Sequence, residues 1–267
     1  MLERLAHSRR GSLMIATLAD AWDTVRGRRD PLVPPRRLTV FVGAGDFQQM
    51  GEDFKRFFIE LGGLKPEDDV LDVGSGIGRM AVPLLGYLSS RYEGFDVYPS
   101  GIRWCQKHIT QGYPRFRFEL ADMKNDLYNP NGRHNAYEYR FPYDDASFDF
   151  VISTSVFTHL LPADAHNYLN EVGRVLRKGG TCFATFFLLD EPQPASDSAQ
   201  LDFRIEGNGY RSISADTPEV AVAYERTDID QALASAGLTL RSFHRGSWSG
   251  YEDGTSFQDI LIATKHA

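Results

Sequence analysis

The chain has 267 residues, 42% of them hydrophobic, and a formal net charge of −7 at pH 7. That length suits one large α/β domain or one domain with insertions, and the acidic balance argues against a nucleic-acid partner. No apolar run reaches the roughly 18 residues that a membrane span needs, and Cys105 and Cys182 stand far apart without metal-ligand spacing, which fits a reducing, cytoplasmic setting.

The charge is uneven. Residues 1–37 hold eight arginines against four acids, a surplus of +4, and the remainder carries −11. Ser8, Arg9 and Arg10 ahead of Leu13, Met14, Ile15 and Ala16 resemble an export signal, but the apolar stretch is short and Asp20 closes it. The pattern predicts an amphipathic helix over 11–26 and then a basic linker through Pro31, Pro34 and Pro35, whose arginines suit weak contact with an anionic surface. In residues 41–47, Gly43 and Gly45 interrupt an apolar run shortly before a helix expected over 52–61. Two readings stand for that stretch: a loop folded closely on something, or a helix N-cap at Asp46.

Residues 70–79 read Val-Leu-Asp-Val-Gly-Ser-Gly-Ile-Gly-Arg. A strand expected over 69–73 runs into three glycines at alternating positions, and a helix is expected over 77–89. Glycine permits strained dihedrals and close approach of a ligand, and a helix start offers free N–H groups. A dinucleotide fingerprint needs glycine where Arg79 stands, and no phosphate-loop pattern is present. Asp72, ahead of the first glycine, would repel a pyrophosphate and suits an ammonium group. A second strand, expected over 91–96, ends in Asp96, 18 residues past Gly78, where a carboxylate can accept from both hydroxyls of a ribose. S-adenosylmethionine has the ammonium, the ribose and no phosphate.

Further strands are expected over 116–121, 148–153, 181–188, 238–246 and 256–264, and further helices over 99–109, 163–176 and 227–236. This alternation implies an α/β fold with a seven-stranded, mostly parallel, doubly wound sheet. Gly179 and Gly180 turn the chain into the fifth strand, and the Gly-Tyr-Glu-Asp-Gly turn at 250–254 makes the last strand antiparallel. Residues 124–140 and 190–226 are too long for ordinary connections; both border the carboxyl end of the sheet and are expected to cap a substrate crevice. The expected organisation is an N-terminal helical and basic extension with a lid over 1–50, and an α/β domain over 51–267 that carries the two cap insertions.

Residues 70–79 resemble the first motif of class I S-adenosylmethionine-dependent methyltransferases, and Asp96 matches the acid that ends their second strand. Three more stretches match in the family's order. Residues 118–123, Phe-Glu-Leu-Ala-Asp-Met, fall where such enzymes place an acid near the adenine amino group. The others are 148–153, Phe-Asp-Phe-Val-Ile-Ser, and 168–180, Tyr-Leu-Asn-Glu-Val-Gly-Arg-Val-Leu-Arg-Lys-Gly-Gly. The resemblance covers about residues 64–190, and residues 141–149 point to the ubiquinone and small-molecule branch. It implies S-adenosylmethionine as cofactor, held by Asp72, Gly74, Ser75, Gly76, Gly78, Asp96, Val97, Asp122, Met123 and Ser153, with Phe47 in the covering segment.

Residues 153–159, Ser-Thr-Ser-Val-Phe-Thr-His, follow the fourth strand beside the expected sulfonium. His159 is the candidate general base because imidazole titrates near neutral pH; alternatively it caps the next helix or orders the loop. Ser155 and Thr158 are candidates for hydrogen bonds to cofactor or acceptor, and Phe157 for packing on the ligand or in the core. Arg79 has three readings: a clamp for an acceptor carboxylate, a partner for an acid, or a solvent-facing charge. Phe203, Arg204, Tyr210 and Arg211 are unusual for an inert loop, so the second insertion is expected to wall the acceptor pocket; Arg79, Phe157, Thr158 and Tyr210 are the candidate substrate contacts. Asp144 and Asp145 read as turn residues, and the histidines show no metal spacing.

The expected activity is methyl transfer from S-adenosylmethionine to a small-molecule or lipid-like acceptor, on oxygen before nitrogen or carbon, without metal or nucleic acid. RNA or protein methylation is the rival enzyme reading, disfavoured by the acidic body and by the lack of an Asn/Asp-Pro-Pro-Tyr/Phe motif after the fourth strand. A catalytically silent cofactor-binding module is the rival of another class.

Overall fold

The computed structural model describes residues 16, 17, 20, 30–39, 45–125, 129–189 and 201–266. The expected helix over 11–26 (apart from Ala16, Thr17 and Asp20), most of the N-terminal arginines, residues 41–44 and residues 190–200 lie outside the described residues.

Eleven strands follow in chain order: β1 (Val70–Val73), β2 (Tyr92–Asp96), β3 (Phe116–Leu120), β4 (Phe148–Ser153), β5 (Leu176–Phe186), β6 (Leu188–Leu189), β7 (Ile205–Gly207), β8 (Tyr210–Ser212), β9 (Val222–Glu225), β10 (Leu238–His244) and β11 (Asp259–Lys265). Seven of them make the main sheet, in the order β10-β11-β5-β4-β1-β2-β3. The strands from β5 to β3 run parallel, and β11 is antiparallel to both of its neighbours, as the turn at 250–254 predicts. Strand alternation divides the core between the two faces: Leu71 and Val73 of β1 point to one, Val70 to the other. Both faces are buried, which explains the near-continuous apolar runs of β1 and β4.

The helices whose bounds fall among the described residues are α1 (Arg36–Thr39), α2 (Phe47–Phe57), α3 (Pro99–Cys105), α4 (Pro162–Val175) and α5 (Arg226–Ser235). Helix α2 starts five residues before the expected 52, because the Asp46 side chain accepts from the Gln49 N–H at 2.8 Å and caps it. It runs on as one wider π-type turn, Phe58–Gly62, and α3 does the same over Gln106–Thr110.

The expected helix over 77–89 does not form. That segment is a run of turns with one 3-10 turn, Val82–Leu84. Gly78 has φ +76°, outside helical space. Pro83 lacks an N–H, and its ring opposes the carbonyl four residues back. The glycine loop is therefore not followed by the regular helix start whose free N–H groups the sequence suggests.

The second insertion is more ordered than a loop. Its described part forms β7, β8 and β9, which join β6 in a four-stranded sheet of order β6-β9-β8-β7. The first insertion folds back on itself, with Lys124 N–H donating to the His134 carbonyl at 2.8 Å. Asn167 of α4 then holds it, donating to the carbonyls of Ala136 at 2.8 Å and Tyr139 at 2.9 Å. Asp144 and Asp145 do form a turn: Ser147 Oγ donates to the Asp144 carbonyl at 2.7 Å, and Asp145 pairs with Arg174 at 2.7 Å.

Candidate functional site

Strand β1 is flanked by β2 on one side and β4 on the other, so the chain leaves in opposite directions there and opens a crevice at the carboxyl ends of β1 and β4. The glycine loop lies at that point, with φ of +79° at Gly74, +55° at Gly76 and +76° at Gly78. Gly74 and Ser75 donate their N–H groups to the Phe95 carbonyl at 2.9 and 3.0 Å, and Gly76 donates to Asp96 Oδ2 at 2.8 Å. These donors are spent on the end of β2, so the loop is poorly suited to cradle a pyrophosphate. The need for glycine at 74 has a cause other than a ligand: a Cβ there would stand 2.3 Å from Val156 Cγ2 of this same chain.

Asp96 is half-buried and doubly anchored, its Oδ1 accepting from Tyr98 N–H at 2.7 Å in addition to the Gly76 bond. Each oxygen keeps a second lone pair for a hydroxyl donor. Burial raises its pKa, and the backbone donors oppose the rise. Val97, next in sequence, packs partly into the core. Asp72 shares the β1 face of Val70 and is fully buried. The Tyr92 hydroxyl donates to its Oδ2, while Oδ1 has no partner. Burial raises its pKa to about 7, and the nearby charge of Asp96 adds to the rise.

Four buried side-chain oxygens at the ends of β1 and β4 have no hydrogen-bond partner among the described residues: Asp72 Oδ1, Ser75 Oγ, Ser153 Oγ and Thr158 Oγ1. An unsatisfied buried polar group costs about 1–3 kcal/mol. A cluster of them at a topological switch point is the signature of a site shaped for a polar ligand. One acid anchored by two backbone N–H groups, another buried with one oxygen unpartnered, and unpartnered hydroxyls on the glycine loop and at the end of β4 fit an amino-acid nucleoside such as S-adenosylmethionine.

The loop after β4 is fixed from several sides. Phe157 is fully buried and stacks on Phe186 with centroids 4.5 Å apart, so it belongs to the core and not to the substrate wall. The Tyr224 hydroxyl lies 2.9 Å from the Phe157 carbonyl and 2.5 Å from that of Leu160. His159 Nδ1 lies 2.8 Å from the Glu219 carbonyl, which belongs to the second insertion. A carbonyl only accepts, so Nδ1 carries the proton and Nε2 keeps its lone pair. Surrounding protein lowers the His159 pKa and its backbone contacts oppose the fall, although the residue is exposed.

Other expected site residues are engaged elsewhere. Asp122 pairs with Arg133 of the first insertion, and that contact lowers its pKa. The Met123 side chain is buried, with the Tyr168 hydroxyl 3.2 Å from its sulfur, so it serves the core and not an adenine ring. Arg79 is buried, not solvent-facing: Nη1 lies 3.4 Å from Met50 Sδ, and the Asp46 charge opposes the pKa-lowering effect of burial. Phe47 is buried in the first turn of α2, and α2 rests on the segment after the glycine loop, where a Cβ on Gly51 would stand 2.8 Å from the Arg79 carbonyl. Tyr210 is half-buried, its ring lying over Gly207 of the neighbouring strand.

Sequence reasoning missed Tyr92, Val156, Thr185, Glu219 and Gln258. Tyr92 had a usable signal, since β1 and β2 pair with Asp72 opposite Gly94, which puts residues 72, 92 and 94 on one face. The others come from distant segments and had none. Among the described residues, no group of three or more His, Cys, Asp or Glu could hold a metal, and no helix is long and apolar enough to cross a membrane.

Residues 71–184 match the family model described as a methyltransferase domain. The chain is 34% identical over 112 residues to the phthiotriol/phenolphthiotriol dimycocerosates methyltransferase of Mycobacterium leprae; the match covers 42% of this chain and 34% of that protein. Its fold is similar to that of a S-adenosylmethionine-dependent methyltransferase from Methanosarcina mazei, with a TM-score of 0.53 and 21% identity over 78% of this chain and 97% of that one. It is also similar to the Burkholderia thailandensis 1,6-didemethyltoxoflavin-N1-methyltransferase, solved with 1,6-didemethyltoxoflavin and S-adenosylhomocysteine, with a TM-score of 0.52 and 18% identity over 83% of this chain and 80% of that one.

Proposed function

We propose, on the premise that this chain is a class I S-adenosylmethionine-dependent methyltransferase, that it methylates a small-molecule or lipid-like acceptor on oxygen. The observation that carries the reading is Asp96, anchored at the end of β2 by the glycine loop, with the buried Asp72 of β1 and the unpartnered hydroxyls of Ser75 and Ser153; His159 stands on the turn that follows β4. When bound, the cofactor supplies an activated methyl group on a sulfonium. Asp96 accepts from its ribose hydroxyls, and Asp72 balances its ammonium. His159, through Nε2, takes the proton of an acceptor hydroxyl as the oxygen attacks. A hydroxyl must lose its proton as it is methylated, which suits a base at this place, whereas a thioether acceptor would need none. Both insertions touch the region around the start of α4: the Glu219 carbonyl of the second accepts from His159, and Asn167 of α4 holds the first.

The substrates named for the relatives, phthiotriol dimycocerosates and 1,6-didemethyltoxoflavin, support this acceptor class. The acidic body, at −11 beyond residue 37, disfavours RNA. The test is transfer of labelled methyl from S-adenosylmethionine into fractionated cell extract. Label in the small-molecule or lipid fraction supports the proposal; label in RNA or protein supports the rival. Binding without transfer to any fraction indicates a silent module.

Asp96→Ala is expected to weaken S-adenosylmethionine binding by about 1–3 kcal/mol, the scale of hydrogen bonds to a charged group. Titration calorimetry reads this directly, and an unchanged affinity would remove Asp96 from the site.

A further inference from the structure

We infer that Gln258, at the start of the C-terminal strand, is a positioning residue: through Thr185 and Ser155 it holds the loop after β4 against the glycine loop and so sets cofactor affinity. Its Oε1 accepts from Thr185 Oγ1 at 2.6 Å and from Ser155 Oγ at 3.0 Å. Thr185 Oγ1 in turn accepts the Ser155 N–H at 2.8 Å. These three residues come from three segments, the end of β5, the loop after β4 and the approach to β11.

The bonds close on a strained point. Ser155 has φ +58°, a left-handed conformation that is unfavourable for a serine and persists only where neighbours over-determine it. That conformation turns the chain so that the next residue, Val156, covers Gly74. The same loop carries the unpartnered hydroxyls of Ser153 and Thr158, and then His159. Gln258 thus reaches the ligand crevice through the backbone of Ser155, without needing to touch a ligand itself. The ligand rests on the methyltransferase reading, but the hold on the loop does not.

The probes are S-adenosylhomocysteine, by calorimetry, and amide hydrogen exchange of residues 154–157 in the ligand-free protein. Gln258→Leu is expected to lower affinity about tenfold, equivalent to about 1.4 kcal/mol, and to speed exchange at Ser155. Gln258→Glu keeps an acceptor for both hydroxyls and should restore both values. Thr185→Val removes the shared hydroxyl and should reproduce the loss, with the double variant no worse than either single one. Native affinity and native exchange in both Gln258→Leu and Thr185→Val would overturn the inference. A native protein that ignores S-adenosylhomocysteine would overturn the cofactor reading, and the exchange measurement would still decide whether Gln258 holds the loop.

Discussion

His159→Ala is expected to lower turnover by about 10²–10⁴-fold, the range of a positioned general base, while S-adenosylmethionine affinity stays native. The expectation follows from the tautomer. With Nδ1–H committed to the Glu219 carbonyl, Nε2 is the basic nitrogen, and the lowered pKa keeps the ring neutral at pH 7. The sign of the pH dependence follows too. The neutral form is the active one, so activity is retained above the folded pKa and lost as pH falls through it. The acid limb should therefore lie below the usual histidine value and disappear in His159→Ala. Rate measurements with the acceptor found by label transfer, from pH 5 to 8, check both points. A folded His159→Ala with near-native turnover would return the residue to anchoring the second insertion. Loss of cofactor affinity alongside turnover would point the same way.

The sheet was legible because its evidence is local. The β-branched and aliphatic runs of β1 and β4, the acid at the end of β2 and the turn at 250–254 each carry their own signal, and their order dictates a doubly wound sheet. The segment after the glycine loop misled because its apolar spacing is helical while Gly78 and Pro83 oppose a regular helix; the local breakers won. Phe157 was offered two roles by a linear motif and Met123 was placed with the cofactor, and only packing against Phe186 and Tyr168 puts both in the core. Two of the hydrogen bonds that fix the loop after β4 join residues 60 and 103 positions apart, His159 to Glu219 and Ser155 to Gln258. No periodicity or spacing rule reaches that far.

Asp72→Asn is expected to stabilise the ligand-free protein at pH 8 and to remove a pH dependence that the native chain shows between about pH 4 and 7. The carboxyl group titrates near 7 in the fold, chiefly because burial penalises its charge, and near 3.9 in an unfolded chain, as aspartates ordinarily do. The folded state therefore holds the proton more tightly. Its contribution to stability is fully present below the unfolded pKa and is lost as pH rises toward the folded one. A shift of about 3 units corresponds to about 4 kcal/mol at most. Asparagine keeps the shape and an acceptor for the Tyr92 hydroxyl but cannot ionise. Urea unfolding of both proteins at pH 5 and pH 8 measures the effect: the native chain should lose stability across that interval, and Asp72→Asn should lose less. Adding S-adenosylmethionine at pH 8 extends the test. If its ammonium faces the open Oδ1, the cofactor should stabilise the native protein more than the variant, and its binding near pH 7 should release a proton. Parallel pH profiles for the two proteins, with equal gains from the cofactor, would show that Asp72 is neither a buried acid under strain nor a partner of the ligand.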